Sequence, residues 1–341
     1  MLKPRFLFLL ILLPILVSCQ TEIEYEGEVN DPKLVVFARS TFYRGRHEHR
    51  CYVQQSTFFL DDTPSGHSLS DATVEWQLND GTRYPFTFVA DSDCFLPSSP
   101  LPFAYSANDR ITFYISHPKY GTTSATQTIP AIQSVPWRVV QSVTDTLNES
   151  YQKEEDSTLH IVTTRQRLEI NLMFPVYQFR SDDVVEITAR AVYPPTADST
   201  YQRKAYLSSN HPLYHSLTTD SDLGIISDIG SLFSDENRRY DAFYIPASSL
   251  QEEQKTALNI YTPSQNETAN TILLTVRTMT HDAWLYYLSM AQQSSLRSSI
   301  IGLGQEEKVQ IYGNFNNEAI GVYITTTEQT LTIPIHNAFQ P

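Results

Sequence analysis

The sequence predicts a mainly β protein. An immunoglobulin-like β-sandwich is expected over residues 32–130, and a β-rich α+β domain with one long and one short helix over residues 137–341. Tyr, Thr, Ser, Val and Ile predominate, and Pro or Asx-Gly turns recur about every ten residues, which is typical of sandwiches and barrels. The chain has 341 residues, more than one hydrophobic core comfortably serves, so two domains or one large composite are expected.

The first strand of the sandwich is predicted at Lys33–Ala38, directly after an N-terminal segment of different composition. Further strands are separated by two hairpin turns, at residues 79–81 and 118–121, where glycine accepts the positive φ of a tight turn. Residues 130–136 are predicted to connect the two domains. The closing strands are predicted at Val309–Tyr312, Ile320–Thr325 and Thr330–Ile335.

Two helices are predicted in the second domain. Ser249 and Glu252 resemble a capping box, which predicts a short helix from Ser249 to about Leu258. Thr280 is predicted to cap a longer helix to about Leu296, because apolar residues then recur at helical spacing. The polar residues 195–240 are predicted to form an elaborated loop region.

The N-terminus has the features of a bacterial lipoprotein signal peptide over residues 1–18. Two basic residues precede an apolar run from Phe6 to Val17, which is shorter than the about 20 residues of a membrane-spanning helix. The run ends in Leu16-Val17-Ser18-Cys19, which resembles the lipobox that directs cleavage and acylation with fatty acids such as palmitate. We therefore predict lipidation of Cys19; the alternative is an ordinary secretory signal with a chance cysteine.

Residues 19–31 are predicted to form an acidic tether. Four glutamates lie between Glu22 and Glu28, and like charges keep a segment extended. The segment also resembles the acidic export signals of surface-exposed lipoproteins in Bacteroidota. The predicted location is the outer membrane, lipid-anchored and surface-exposed, with a periplasm-facing orientation as the alternative.

The charge balance limits the classes of partner. The chain has 24 Lys and Arg against 38 Asp and Glu, a net charge of −14. An acidic body argues against nucleic acid, whose phosphates require clustered basic residues. It also argues against electrostatic docking on anionic lipid, so the acyl anchor must supply the membrane attachment.

Two cysteines remain besides the predicted lipidation site. In an oxidising envelope Cys51 and Cys94 can pair as a disulfide, and two free, buried thiols are the alternative. His47 and His49 alternate with Cys51, a spacing that on a strand can chelate a soft divalent metal. The alternative is an exposed polar edge, which the interleaved arginines at positions 44, 46 and 50 favour.

No catalytic motif is recognisable. Asp182 and Asp183, and the pair Asp220 and Asp222, are the acidic groups that glycoside hydrolysis would need, but ordinary turns use the same residues. The chain has only 11 glycines and no phosphate-binding loop. We expect neither a catalytic site nor a cofactor.

Several segments, in this order, resemble one family of Bacteroidota lipoproteins, domain of unknown function 4249. In the first half these are Pro32–Val36, Ala72–Val74 before the Asp80-Gly81 turn, and Thr126–Pro130. In the second half they are Leu274–Thr280, Trp284–Leu288, Val309–Phe315 and Gly321–Tyr323. The chain departs from the family pattern at Asn316–Glu318, where small apolar residues are usual.

The resemblance implies an outer-membrane lipoprotein, often encoded near TonB-dependent transporters, and it supplies no catalytic residues. The leading hypothesis is therefore a non-enzymatic ligand-capture or accessory subunit of such a transporter. One alternative is a surface adhesin or structural protein that binds host or matrix polymers. Another is a hydrolase with an unrecognised site, for which Asp182 and Asp222 are the candidates.

Overall fold

The structure is a computed structural model, and it confirms a mainly β protein. It describes residues 31–56, 68–101, 104–131, 134–154, 157–174, 180–196, 199–209, 242–250, 254–263, 268–299 and 311–335. Within these ranges 15 strands join in one hydrogen-bonded sheet, with one α-helix of seven or more residues. None of the described helices is both long enough and apolar enough to cross a membrane.

Seven strands make up the first half of the sheet. They are β1 (Leu34–Tyr43), β2 (Arg46–Gln55), β3 (Thr73–Leu78), β4 (Arg83–Val89), β5 (Cys94–Pro97), β6 (Arg110–His117) and β7 (Gly121–Thr128). Their order across the sheet is β7-β6-β3-β4-β5-β2-β1. Alternate residues of these strands point into one core that contains Val36, Trp76 and Phe113, all fully buried. Period-two alternation is what places one side of each strand in this core.

Eight strands make up the second half. They are β8 (Trp137–Glu154), β9 (Ser157–Phe174), β10 (Val184–Thr196), β11 (Ser199–Ser208), β12 (Ala242–Pro246), β13 (Gln254–Tyr261), β14 (Thr271–Met279) and β15 (Ile320–Pro334). From β1 the sheet continues as β15-β14-β10-β11-β13-β9-β8, and β12 also pairs with β10. A second core lies on this half and contains Ile170, Ile187 and Leu274.

Strand β15 belongs to both halves of the sheet. Its first part pairs in parallel with β1, with Val36 opposite Gly321, and its last part pairs antiparallel with β14. The two predicted strands Ile320–Thr325 and Thr330–Ile335 are therefore one continuous strand. Tyr323 packs in the first core and Ile333 in the second.

One helix, α1 (His281–Ser299), occupies the position predicted for the longer helix. The Thr280 hydroxyl accepts a hydrogen bond from the Ala283 amide at 3.4 Å, which caps the first turn. Ala283 and Trp284 pack against Val322 and Ile324 of β15. The helix thus covers the sheet face opposite the two large cores.

The prediction of a short helix from Ser249 to about Leu258 is wrong. Ala247–Ser249 form a 3-10 turn, and Gln254–Tyr261 are strand β13, paired with β9. Leu258 and Ile260 are both fully buried, and their alternation places them in the second core. Pairing and burial therefore outweigh the local capping signal.

Some predicted features lie outside the described residues. Cys19, most of residues 195–240, and the acidic pair Asp220 and Asp222 are among them. Within 195–240, Ser199–Ser208 form strand β11 rather than a loop. Of the predicted strand Val309–Tyr312, the two described residues, Ile311 and Tyr312, are not in a strand.

Candidate functional site

A row of polar side chains crosses five strands on the helix-bearing face of the sheet. Tyr43, Glu328, Arg277, Glu186 and Tyr244 are successive cross-strand neighbours. Arg277 donates to Glu186 at 2.6 Å and to Glu328 at 2.7 Å, and Tyr244 donates to Glu186 at 3.0 Å. Burial lowers the pKa of Arg277, but the two carboxylates outweigh it and raise that pKa overall. In this row the buried cation and its carboxylate partners compensate each other's charge, and their hydrogen bonds link neighbouring strands.

Asp282, in the first turn of α1, connects the helix to both halves of the chain. Its carboxylate accepts hydrogen bonds from Gln127 of β7 at 2.5 Å, Tyr312 at 2.7 Å and Asn314 at 3.2 Å. Burial opposes ionisation, but these donors outweigh it and lower the pKa of Asp282. Because its oxygens already accept these hydrogen bonds, the Asp282 carboxylate has a structural role: it links the start of α1 to β7 and to the segment that contains Tyr312 and Asn314.

The acidic pair Asp182 and Asp183 lies in the turn before β10. Arg180 donates to Asp182 at 3.0 and 3.2 Å and thereby lowers its pKa. Asp183 is buried and accepts the Arg180 amide at 3.3 Å, and burial raises its pKa to about 6. Both carboxylates thus accept hydrogen bonds within the turn, Asp182 from the Arg180 guanidinium and Asp183 from the Arg180 amide.

An open groove runs along the outer edge of β2. Its volume is about 640 Å³, and two segments line it: Arg46–Arg50 and Leu96–Leu101. Strand β2 pairs with β1 along its whole length, but with β5 only through Cys51 and Phe95.

The histidines of this segment belong to a buried hydrogen-bonded chain. His49 is buried, its Nδ1 lies 2.7 Å from Ser40 Oγ, and its Nε2 lies 3.0 Å from His47 Nδ1. Ser40 Oγ in turn lies 2.9 Å from the Tyr323 hydroxyl. Burial and the neighbouring His47 lower the pKa of His49 to about 3. His49 is therefore neutral at physiological pH, with both ring nitrogens hydrogen-bonded.

The arginines of the segment face solvent instead. Arg44, Arg46 and Arg50 are exposed, and among the described residues none of them forms an ion pair with a carboxylate. The Arg46 guanidinium lies over the Tyr43 ring at 4.3 Å. Guanidinium groups at an open strand edge are suited to bind anionic groups.

These features lie in a chain that a known family model matches almost from end to end. The model, described as a domain of unknown function (DUF4249), matches residues 20–332. The chain belongs to the DUF4249 family. No curated protein is significantly similar to this DUF4249 chain in sequence.

Solved structures add little. One chain, from the complete structure of manganese lipoxygenase of Gaeumannomyces graminis and partial structure of zonadhesin of Komagataella pastoris, aligns over 73% of the DUF4249 chain and 88% of its own length. The identity is 13% and the TM-score is 0.17. A score this low carries no argument about fold or function.

The described part of the family-like segment, Ile311–Phe315, has a structural role in this DUF4249 chain. The Asn314 side chain pairs with the Tyr323 backbone, accepting its amide at 2.8 Å and donating to its carbonyl at 2.9 Å. The departure at Asn316–Glu318 forms a turn in which Asn317 and Glu318 have φ of 55° and 61°. Asn316 accepts a hydrogen bond from the Ser124 amide at 2.8 Å, which joins this turn to β7.

The remaining sequence candidates are two cysteines and a metal site. Cys51 and Cys94 are free, buried thiols, and burial together with Cys94 raises the pKa of Cys51, which suppresses the thiolate. Among the described residues, no group of three His, Cys, Asp or Glu side chains is arranged to hold a metal ion. The groove was not predicted from the sequence. The feature that could have indicated it is the alternation of arginines in an otherwise acidic chain.

Acidification is expected to destabilise the DUF4249 chain through His49. Its pKa falls from 6.5 to about 3 in the fold, so the unfolded state binds the extra proton between these values. Stability therefore falls as pH decreases through that window. Between pH 7 and pH 4, His49 is expected to lower the free energy of unfolding of the wild type by about 3 kcal/mol. This contribution is expected to be absent from His49→Gln, as measured by urea unfolding at each pH.

The comparison isolates His49, because Asp183 titrates in the same window in both proteins. The raised pKa of Asp183 acts with the opposite sign, stabilising the fold as pH falls. Parallel pH profiles for the wild type and His49→Gln would contradict the assignment.

Proposed function

We propose that this DUF4249 chain is an outer-membrane lipoprotein, acylated at Cys19 and exposed at the cell surface. It acts as a non-enzymatic ligand-capture or accessory subunit of a TonB-dependent transporter. The supporting observation is the open groove of about 640 Å³ beside β2, which exposed arginines flank. Such a groove offers volume and charge for recognition. The family resemblance supplies the class of partner.

The proposed architecture for this role includes an immunoglobulin-like sandwich over residues 32–130. Two pairings support it: β2 with β5, and β3 with β6, as B pairs with E and C with F in that fold. Trp76 of β3 and Cys51 of β2 are both fully buried in the same core, at positions like the Trp and first Cys of immunoglobulin domains. In this proposal β15 completes the sandwich beside β1.

The proposal is tested by purifying the tagged, acylated protein from gently solubilised outer membranes and identifying its partners by mass spectrometry. A TonB-dependent barrel in stoichiometric amount is the expected result. A preparation without any barrel, under every growth condition tried, would overturn the transporter role and direct attention to adhesion.

Replacing Cys19 with alanine is expected to abolish the lipid anchor. Each buried CH₂ of an acyl chain adds about 0.8 kcal/mol of membrane affinity, so the variant is expected to leave the membrane fraction. Metabolic labelling with an alkynyl palmitate, followed by detection on the purified chain, measures the modification. Cys51→Ala is the control. Cys51 is buried, so this substitution is expected to leave the label unchanged. Label retained on Cys19→Ala would refute lipidation at Cys19.

A further inference from the structure

We infer that a pocket on the outer face of strands β3, β6 and β7 binds a neutral carbohydrate through one pyranose ring. Its volume is about 280 Å³, and its lining residues differ from those of the groove beside β2. The inference goes beyond the proposed function, because it assigns a class of ligand to a second site and does not depend on a transporter. It rests on the hydroxyl groups, the charge balance and the aromatic ring of this pocket.

The floor of the pocket carries a row of hydroxyl groups. Thr73 lies opposite Ser116, and Ser116 lies opposite Thr122, on the paired strands β3, β6 and β7; all three residues line the pocket and are exposed. Neighbouring strands lie about 4.8 Å apart, so the row spans about 10 Å. A hydroxyl both donates and accepts, and it rotates to suit its partner. A ligand with several hydroxyl groups around one ring is suited to such a floor.

The backbone beneath the pocket is already paired, so recognition depends on side chains. Strand β6 pairs with β3 on one side and with β7 on the other. At the far edge of β7, the Ser124 amide donates to Asn316 Oδ1 at 2.8 Å, and the Asn316 amide donates to the Ser124 carbonyl at 3.1 Å. An extended peptide binds to a sheet through the backbone of an edge strand. The pocket floor therefore favours a compact ligand over a peptide.

The charged groups of the pocket compensate each other. The Arg83 guanidinium donates to the Glu75 carboxylate at 3.0 Å, and these two are the only charged side chains among the described residues that line the pocket. The site therefore has no net charge, which favours a neutral ligand. Hydrogen bonds from ligand hydroxyl groups to such ionised groups are stronger than those between neutral groups.

An aromatic ring supplies apolar surface beside these polar groups. The Arg83 guanidinium lies over the Tyr114 ring at 3.7 Å, and the Tyr114 hydroxyl donates to Gln77 Oε1 at 2.8 Å. Both contacts hold the ring in place. Tyrosine and arginine side chains combine an apolar body with a polar end. A pyranose has the same character, since its C–H faces are apolar and its rim carries hydroxyl groups.

The turn Asn316–Glu318 provides one wall of the pocket. The Asn317 side-chain amide donates to the Thr122 carbonyl at 2.9 Å, which fixes this wall relative to the floor. A carboxamide offers a second donor hydrogen and an acceptor oxygen, both suited to ring hydroxyl groups. The volume of about 280 Å³ lies just below the roughly 300–1,000 Å³ range of ligand clefts, which limits the occupant to about one ring.

The test measures saturation transfer by NMR from the purified protein, kept in a detergent without a sugar headgroup. The probes are the methyl glycosides of glucose, galactose, mannose and N-acetylglucosamine. Transfer to at least one of them is expected, and no transfer to any of the four would overturn the inference. The uronic acid and the 2-amino sugar that correspond to the best binder are expected to bind at least fivefold more weakly. Equal or tighter binding of either would overturn the preference for a neutral ligand.

Protein variants locate the site. Thr73→Val/Thr122→Val removes two hydroxyl groups with little change in shape, and is expected to weaken binding of the best sugar at least fivefold, since one neutral hydrogen bond is worth roughly two- to tenfold in affinity. Thr330→Val/Thr332→Val removes the same groups from exposed positions on β15 and is expected to leave the affinity unchanged. Equal affinities of the two double variants would overturn the site.

Failure of this inference and failure of the proposed function are distinguishable. If a sugar binds and the Thr73→Val/Thr122→Val variant loses it, but no barrel co-purifies, the pocket stands and only the transporter role fails. If a barrel co-purifies while none of the four sugars binds, the inference fails and the transporter role stands.

Discussion

Gly321→Ala is expected to destabilise the fold by about 4 kcal/mol or more, a loss at the extreme of single substitutions. A Cβ at this position would lie 1.7 Å from the Val36 carbonyl oxygen and 2.7 Å from its carbonyl carbon. Both atoms belong to the backbone of β1, the parallel partner of β15. Relief therefore requires the two strands to separate. The φ of +136° at Gly321 adds strain for any other residue.

The measurement is urea unfolding of the purified ectodomain, with the midpoint and slope compared between variants. Gly45→Ala is the matched control, because Gly45 also has a positive φ, +83°, but a Cβ there would meet nothing within 4 Å. The expected loss of stability in Gly45→Ala comes from conformational strain alone and is about 1–2 kcal/mol. Equal losses in the two variants would contradict the steric explanation for Gly321.

Arg277→Met is expected to destabilise the fold by about 3 kcal/mol. The substitution keeps the aliphatic stem but removes the only cation bonded to Glu186 among the described residues. Glu328 keeps its contact with Arg39 at 3.2 Å, which places the loss at the low end for a broken buried pair. The side chains of Glu186 and Glu328 are only 11% and 10% exposed, so water does not replace the lost guanidinium.

Two variants check this reasoning by urea unfolding. Neutralising the carboxylate that loses its cation, as Glu186→Gln in the Arg277→Met background, is expected to recover part of the lost stability, since the uncompensated charge of Glu186 is removed. Arg83→Met breaks an ion pair with Glu75 of similar length, 3.0 Å, whose side chains are 48% and 34% exposed, and is expected to lose less than about 1 kcal/mol. A similar loss for Arg83→Met and Arg277→Met would contradict the role of burial.

Features encoded by nearby residues could be predicted from the sequence. The two hairpins are confirmed. Gly121 supplies the predicted positive φ, 77°, in the second turn, but in the first the positive φ, 51°, lies at Asn79 and not at Gly81. Turn chemistry depends on a few adjacent residues, so a single sequence reveals it. The mainly β class follows in the same way from local alternation.

Features that depend on distant partners could not be predicted. Nothing near Ile320 indicates that it lies beside Val35 in a parallel pair. The sequence around Ser249 resembles a helix start, and pairing with the distant strands β9 and β11 makes Gln254–Tyr261 a strand.

The candidate site was hidden for the same reason. The alternating arginines at positions 44, 46 and 50 are visible in the sequence, but whether they border an open edge depends on how far β5 extends along β2. The burial of His49 depends on Ser40 and on Tyr323, a residue of the last strand.

The pairing of β1 with β15 also determines when the protein can finish folding. Thr41 and Thr326, opposite each other in this pair, are 285 residues apart. Contacts this distant form slowly and require nearly the entire polypeptide to be present. One edge of β1 is paired with β2, but its other edge lacks its partner until β15 arrives. For the export proposed above, this order of events means that the sheet cannot be completed before translocation delivers β15.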